Sequence, residues 1–328
     1  MRYIQSHSTD PHFNLALEQH VFDNLDQGHS YFMLWQNSKA VIVGKHQNTI
    51  AEINAAYVRE LDIAVVRRLS GGGAVYHDLG NLNFTFIADS GGPGFDFATF
   101  CKPVAGALVK IGAPVEISGR NDMTIDGKKI SGNAQYMKRG RVMHHGTILY
   151  DSDLEVLGRA LAAPPDKIES KGIKSVRSRV TNIKPYLKSG LDTAWFRDRL
   201  RDLMFKEYAM QTYALTPDDL KAVRRLRDTV YSRWDWNYGS SPAYSLCKER
   251  RVEGCGKIEV HMDVGEGKIR GIAFYGDYFG NGDSAELALK LQGLPLEENA
   301  LRRALEDTDI GLYFNHLGQD EFVSILLS

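Results

Sequence analysis

The sequence predicts an α+β protein in two parts, a larger domain over residues 1–245 and a small α/β domain over residues 246–328. Three observations lead there. Short apolar runs of strand length, such as Ile63-Ala64-Val65-Val66, recur between stretches whose apolar residues have helical spacing. A glycine triplet, Gly71-Gly72-Gly73, separates two of those runs. Aromatic and turn residues, Trp234-Asp235-Trp236 and then Gly239-Ser240-Ser241-Pro242, interrupt the pattern, and the composition changes beyond them.

The totals narrow the class. With 328 residues, 43% of them apolar and 25% charged, the chain has the make-up of a folded soluble protein rather than a disordered one. A formal net charge of −1 argues against a nucleic-acid partner held by bulk charge. No run approaches the roughly 18 apolar residues of a membrane helix, so no membrane partner is expected. The first residues also lack an apolar core of signal-peptide length. Cys101, Cys247 and Cys255 are an odd set without a CxxC pair, which fits a reducing cytoplasm and excludes a cysteine zinc site.

In chain order, residues 2–6 form a short strand. A helix follows Asp10-Pro11, with Asp10 as N-cap, Pro11 in the first turn, and Phe13, Leu17 and Val21 on one apolar face. Residues 31–36 and 40–44 read as strands joined by the turn Asn37-Ser38-Lys39. Residues 52–61 form a helix into the strand before the glycines, and 82–88 a strand after them. A helix over 96–111 is closed by Gly112. Asp126-Gly127 marks a two-residue hairpin, followed by a strand over 142–150 and a helix over 153–161. Residues 162–179 form a long polar loop, and 191–208 and 217–231 are amphipathic helices. In the smaller part, 257–264 and 268–275 make a hairpin, and 284–291, 296–305 and 321–327 short helices.

Chemistry concentrates at residues 67–84. A strand ends in Arg67 and Arg68, and the glycines then offer backbone N–H groups to an anion without side chains in the way. The Gly-Lys-Ser/Thr of a P-loop and the spacing G-x-G-x-x-G are both absent. A tight hairpin explains the glycines as well as a phosphate site does. Lys129, just past the Asp-Gly turn and beside Ser131, Gly132 and Ala134, could neutralise a carboxylate and a phosphate together. The alternative is a solvated hairpin lysine. Strand alternation sends Lys128 and Lys129 to opposite faces, so only one can serve.

These residues resemble a known family. Residues 67–78, then Gly80-Asn81, then Gly119-Arg120-Asn121-Asp122, then 129–134, closely resemble lipoate–protein ligase A. The blocks His144-His145-Gly146-Thr147 and 172–182 match the same family, and the likeness spans nearly the whole chain. It implies a mixed β-sheet catalytic domain of the biotin/lipoate protein ligase type, with a small accessory C-terminal domain. It further implies lipoate, ATP and Mg²⁺ reacting to lipoyl-AMP and pyrophosphate, and transfer to the lysine of apo lipoyl domains or of the H protein, for lipoate salvage. By the resemblance Lys129 is the essential lysine, Arg68 a nucleotide contact, and Gly73, Ala74, Val75 and Tyr76 the ATP-binding run. Gly71, Gly72, His77, Asn81, Asn121, Asp122 and His145 are softer candidates, with Asp122 a possible Mg²⁺ ligand. Turn capping explains Asn81, Asn121 and Asp122 equally well. Leu17, Leu34, Val43, Val75 and Phe86 suit either a lipoyl chain or a plain core.

Other readings share the fold. Transferases that carry the acyl group on a cysteine need a thiol by the pocket, and none of the three cysteines adjoins the matched blocks. An ATP-independent transferase between carrier proteins is separated by pyrophosphate release. A non-catalytic lipoyl-domain binder would need neither Lys129 nor the glycines.

Overall fold

The computed structural model describes residues 1–90, 96–118, 122–161, 179–187, 191–238, 246–265 and 267–327. Strands are numbered in chain order: β1 (Arg2–Gln5), β2 (Tyr31–Trp35), β3 (Ala40–Val43), β4 (Ala64–Arg67), β5 (Val75–His77), β6 (Asn81–Asp89), β7 (Glu116–Ser118), β8 (Asp122–Ile125), β9 (Lys128–Lys138), β10 (Arg141–Leu149) and β11 (Gln211–Thr212). Eight of them form one sheet in the order β11-β1-β2-β6-β10-β9-β8-β7. β1 runs parallel to both β11 and β2, and the remaining pairs are antiparallel, so the sheet is mixed.

Both faces of the centre of this sheet are covered, which is why β2 is apolar at every position rather than alternating. On one face, helices Phe97–Ile111 and Thr193–Tyr208 bury Cys101, Val104, Leu108, Phe196 and Leu200 against Phe32, Phe84, Phe86 and Ile148. Helix Phe97–Ile111 starts where Asp96 accepts from Thr99 N–H and stops at Gly112, whose φ of 110° a side chain would resist. Toward the other face, helix Pro11–Asn24 begins with Asp10 accepting from His12 N–H and sends Glu18 to Thr85 of β6 and His145 of β10. It buries Leu15, Ala16, Leu17, Glu18, Val21 and Phe22, which is wider than the single stripe the sequence suggested.

Residues 31–44 do not form a hairpin. β2 joins the large sheet, whereas β3 lies between β4 and β5 in a separate three-stranded sheet. Between them Asn37 is buried, with side-chain bonds to Asn14 Nδ2 (2.9 Å) and His77 Nδ1 (3.1 Å).

The chain divides into two compact units. One comprises Met1–Val43, Thr49–Arg68 and Val75–Tyr238, and the other Gly44–Asn48, Leu69–Ala74 and Gly239–Ser328. The division after Tyr238 falls at the compositional break. The expected boundary at residue 245 lies outside the described residues, as do residues 162–178 of the long loop. Short segments from early in the chain, the glycines among them, thus group with the C-terminal residues.

The second unit holds three antiparallel strands, β12 (Leu246–Val252), β13 (Gly256–Gly265) and β14 (Lys268–Tyr275), backed by short helices. Ile258, Val260, Met262, Ile272 and Phe274 pack against Leu287, Leu301, Phe314 and Phe322. β12 escaped the sequence reading because Lys248, Glu249, Arg250 and Arg251 carry no apolar alternation.

Candidate active site

Lys129 is placed by local geometry. The Asp126-Gly127 turn has φ of 51° and 71°, the all-positive pattern of a type I′ hairpin, and joins β8 to β9. Two residues later the register slips. Thr124 faces Lys129 while Met123 faces Ser131, so Ile130 is the extra residue of a bulge and drops into the main core. Lys128 is exposed, whereas Lys129 is half-buried and pairs its Nζ with Asp122 Oδ1 at 2.8 Å. The two side chains are 39% and 35% exposed, so the pair contributes no more than about 1 kcal/mol and opens easily. Thr181 N–H donates to the Lys129 carbonyl at 2.9 Å. Asn182 meanwhile clasps Ser152 through both ends of its amide, at 3.0 and 2.9 Å.

A buried polar network lies in the same unit. His145 Nδ1 donates to Glu18 at 3.0 Å, Thr85 Oγ1 donates to the same carboxylate, and Trp35 Nε1 donates to Thr85 at 2.9 Å. Arg68 sits at the end of β4 with its guanidinium on the Ile42 carbonyl at 3.1 Å. Burial lowers its pKa to about 10, while the Glu18 carboxylate works in the opposite direction, so it stays cationic at neutral pH. Its neighbour Arg67 points elsewhere. It binds Thr49 and the carbonyls of Trp236 and Asn237, and these bonds hold the unit together. The arginine pair of the sequence therefore divides its work.

Val75, Tyr76 and His77 form β5, and burial pushes the Tyr76 phenol up. His77 accepts at Nδ1 from Asn37, and burial lowers its pKa to about 3, helped by the nearby charge of Arg68. Asn81 opens β6 and donates to Asn83 Oδ1 at 2.9 Å. Three buried polar atoms here have no protein partner: His77 Nε2, Asn81 Oδ1 and Asn83 Nδ2. Unpaired buried groups are costly, by about 1–3 kcal/mol each, and call for a ligand or water.

Gly71, Gly72, Gly73 and Ala74 belong to the second unit. A Cβ on Gly71 would lie 2.3 Å from the Tyr278 carbonyl oxygen, which accepts from Gly72 N–H at 3.3 Å. Gly72 has φ of 85°, whereas Gly73 has ordinary backbone and open space where a side chain would be. Positive-φ freedom is thus a requirement at Gly72 alone. Tyr278 also stacks on His46 at 4.3 Å.

Asn121 lies outside the described residues, and among those described no His, Cys, Asp and Glu cluster forms a metal site. Leu34 and Phe86 belong to the main core. Cys101 is buried 3.9 Å from His144, with its thiol pushed up to about 12, which disables it as an acyl carrier. Sequence reasoning missed Glu18, Thr85, Asn83 and the clasp of Asn182. No sharp sequence signal marked Glu18, because half of the helix Pro11–Asn24 is polar and Asn14 and His20 are buried along with it.

Comparisons with known proteins agree. Residues 10–205 match the lipoyl protein ligase A/B catalytic domain, and residues 241–326 the bacterial lipoate protein ligase C-terminus. A Bacillus subtilis lipoate-protein ligase is 43% identical over 97% of this chain and 97% of its own length. A Plasmodium falciparum structure of LipL1 with lipoate superposes with a TM-score of 0.79, covering 99% of each chain at 24% identity. A lipoate-protein ligase A structure bound with ATP gives 0.61 at 25% identity, over 73% of this chain and 98% of that one. On the matched catalytic model and the full-length relative, this chain belongs to the lipoate–protein ligase family.

Proposed function

We propose that the protein activates lipoate with ATP and attaches it to a lysine of acceptor proteins. In the first step a lipoate carboxylate oxygen attacks the α-phosphorus of ATP. The α–β bridging P–O bond breaks and pyrophosphate leaves with the bonding pair, giving lipoyl-AMP. In the second, the unprotonated amine of the acceptor lysine attacks the acyl carbon, AMP leaves with the C–O bonding pair, and the amine proton passes to solvent. Both reactants of the first step are anions, so fixed positive charge lowers the barrier.

The observation that carries this reading is Lys129, a half-exposed ammonium held at a bulged strand by an ion pair weak enough to be exchanged for substrate. Arg68 supplies a second permanent charge and suits bidentate phosphate contact, where lysine acts as a mobile point charge. We assign the nucleotide to Arg68, Lys129, Val75, Tyr76, Gly73 and Ala74, with Gly71, Gly72, His77, Asn121 and His145 as further contacts. Mg²⁺ favours hard oxygen donors, and the Asp122 carboxylate fits that preference. It would hold the ion, which would screen the phosphate charge, while the unpaired Asn81 Oδ1 is assigned to the nucleotide.

The acceptors we assign are lipoyl domains of 2-oxoacid dehydrogenase complexes and the H protein of glycine cleavage. We place the reaction in the cytoplasm, which the absence of a disulfide at Cys101, Cys247 and Cys255 supports. Among the described residues no helix is long and apolar enough to cross a membrane. We also read residues 1–245 as the catalytic part and 246–328 as an accessory part serving adenylation.

The test is mass spectrometry of an apo lipoyl domain incubated with the protein, ATP, Mg²⁺ and lipoate. A gain of one lipoyl group, with pyrophosphate released, is expected. No gain overturns the reading, and transfer from a lipoylated carrier without ATP replaces it with a transferase.

A further inference from the structure

Two glycines beside the lysine hairpin lack side chains for different reasons. At Gly146 an added Cβ would lie 2.0 Å from Asn133 Oδ1 and 2.5 Å from Phe84 Cζ, so the core excludes it. At Gly132 an added Cβ would meet only Lys129, 2.9 Å from both Cε and Nζ. Gly132 does not occupy the positive-φ region, so an alanine could adopt its backbone without strain. Something other than conformation or core packing therefore favours glycine there.

We propose that Gly132 is a positioning residue, whose missing side chain leaves a channel along β9 in which the Lys129 chain lies so that its ammonium reaches Asp122. The inference rests on Lys129 being the reacting lysine. Both ends of the channel are fixed. At the start, Thr181 N–H holds the Lys129 carbonyl and the bulge at Ile130 sets the direction of the side chain. At the far end Gly132 stands opposite Asp122 in the ladder, and its N–H donates to Thr147 Oγ1 at 3.2 Å. With the backbone pinned and a flexible side chain in contact, a methyl group on residue 132 moves the lysine rather than the strand. The ammonium then leaves the place where it faces the carboxylate and phosphate. Displacement of a reacting group by about 1 Å can cost about 10²-fold in rate.

Four proteins decide the matter: the parent, Gly132→Ala, Lys129→Ala and the double variant. Gly132→Ala is expected to unfold near the parent temperature and to form lipoyl-AMP with kcat lowered about 10²-fold, with KM for ATP changing far less. In the Lys129→Ala background the same change should have no further effect, since the group it displaces is gone. Labelling with acetic anhydride adds a readout independent of turnover. Loss of the Asp122 contact should raise the acetylation rate of Lys129 relative to Lys128, and Gly132→Ser, with a similarly small side chain, should do the same. An unchanged labelling ratio, parental kcat in a folded Gly132→Ala protein, or an equal further loss in the double variant overturns the proposal. A fully active Lys129→Ala protein would instead remove the assignment of Lys129 beneath it.

Discussion

The lysine hairpin and the glycine segment are both short and both depend on glycine, but they are built in opposite ways. The hairpin is made almost wholly by its own neighbours, with the Asp126-Gly127 turn, the bulge at Ile130 and the ion pair to Asp122 all inside residues 122–132. The glycine segment takes its shape from far downstream. Tyr278 excludes a side chain at Gly71, accepts from Gly72 and stacks on His46. The hairpin therefore depends little on residues far along the chain, with Thr147 and Thr181 as its nearest outside supports, whereas the glycine segment depends on Tyr278.

The largest effect that would break this contrast is truncation. A protein ending at residue 245 loses Tyr278, and formation of lipoyl-AMP from ATP and lipoate should fall by about 10³-fold or more. The hairpin keeps its partners, so transfer from supplied lipoyl-AMP should persist, with circular dichroism confirming folded protein. Full adenylation without residues 246–328 would show that the glycine segment needs no support from them.

Next comes Lys129→Ala, which should reduce both half-reactions by roughly 10²–10³ while Lys128→Ala stays near the parent. A crippled Lys128→Ala beside a normal Lys129→Ala would reverse the two faces of β9.

The contrast explains which features could be read from sequence. Asp10, Gly112 and Asp126-Gly127 were legible because a cap or a two-residue turn is decided by atoms a few residues away. Asn37 looked like a turn residue and proved to be a buried link between Asn14 and His77, a role that only tertiary neighbours confer. The glycine triplet was visible at once, but its three members were not distinguishable. Only the position of the Tyr278 carbonyl separates Gly71, which is sterically confined, from Gly73, which is open. The family blocks pointed to Lys129 and Arg68, yet gave no hint that Arg67 is a structural anchor.

That distinction within the triplet gives a sharper test. Gly71→Ala should lower the melting temperature, because the clash is with backbone, whereas Gly73→Ala should leave stability unchanged and weaken nucleotide binding in calorimetric titration. Undiminished affinity in Gly73→Ala would reduce residue 73 to a spacer.

A different kind of effect concerns pH and the first unit alone. Burial lowers both His77 and His144 to about 3, so the folded state keeps them neutral while the unfolded chain protonates near 6.5. Their contribution is complete above pH 6.5 and is lost progressively as the pH falls toward 3. Each removes about 1.4 kcal/mol per pH unit in that window. Denaturant unfolding at pH 7, 6 and 5 should therefore show stability falling with acid, less steeply in His144→Asn. A flat profile would mean that these rings find protons inside the fold. Smallest of all, Gly127→Ala should cost about 1 kcal/mol by forcing a side chain into positive φ, with Lys129 still in place.

The parallel pair of β1 with β11 has a consequence for synthesis. Arg2 and Tyr3 align with Gln211 and Thr212, so β1 leaves the ribosome about 200 residues ahead of its outer neighbour, which follows only after most of the larger unit has been made. Until then β1 presents an open edge to other nascent chains. Slow translation ahead of residue 211 should lengthen that exposure, and expression at low temperature with chaperones should favour soluble product over aggregate.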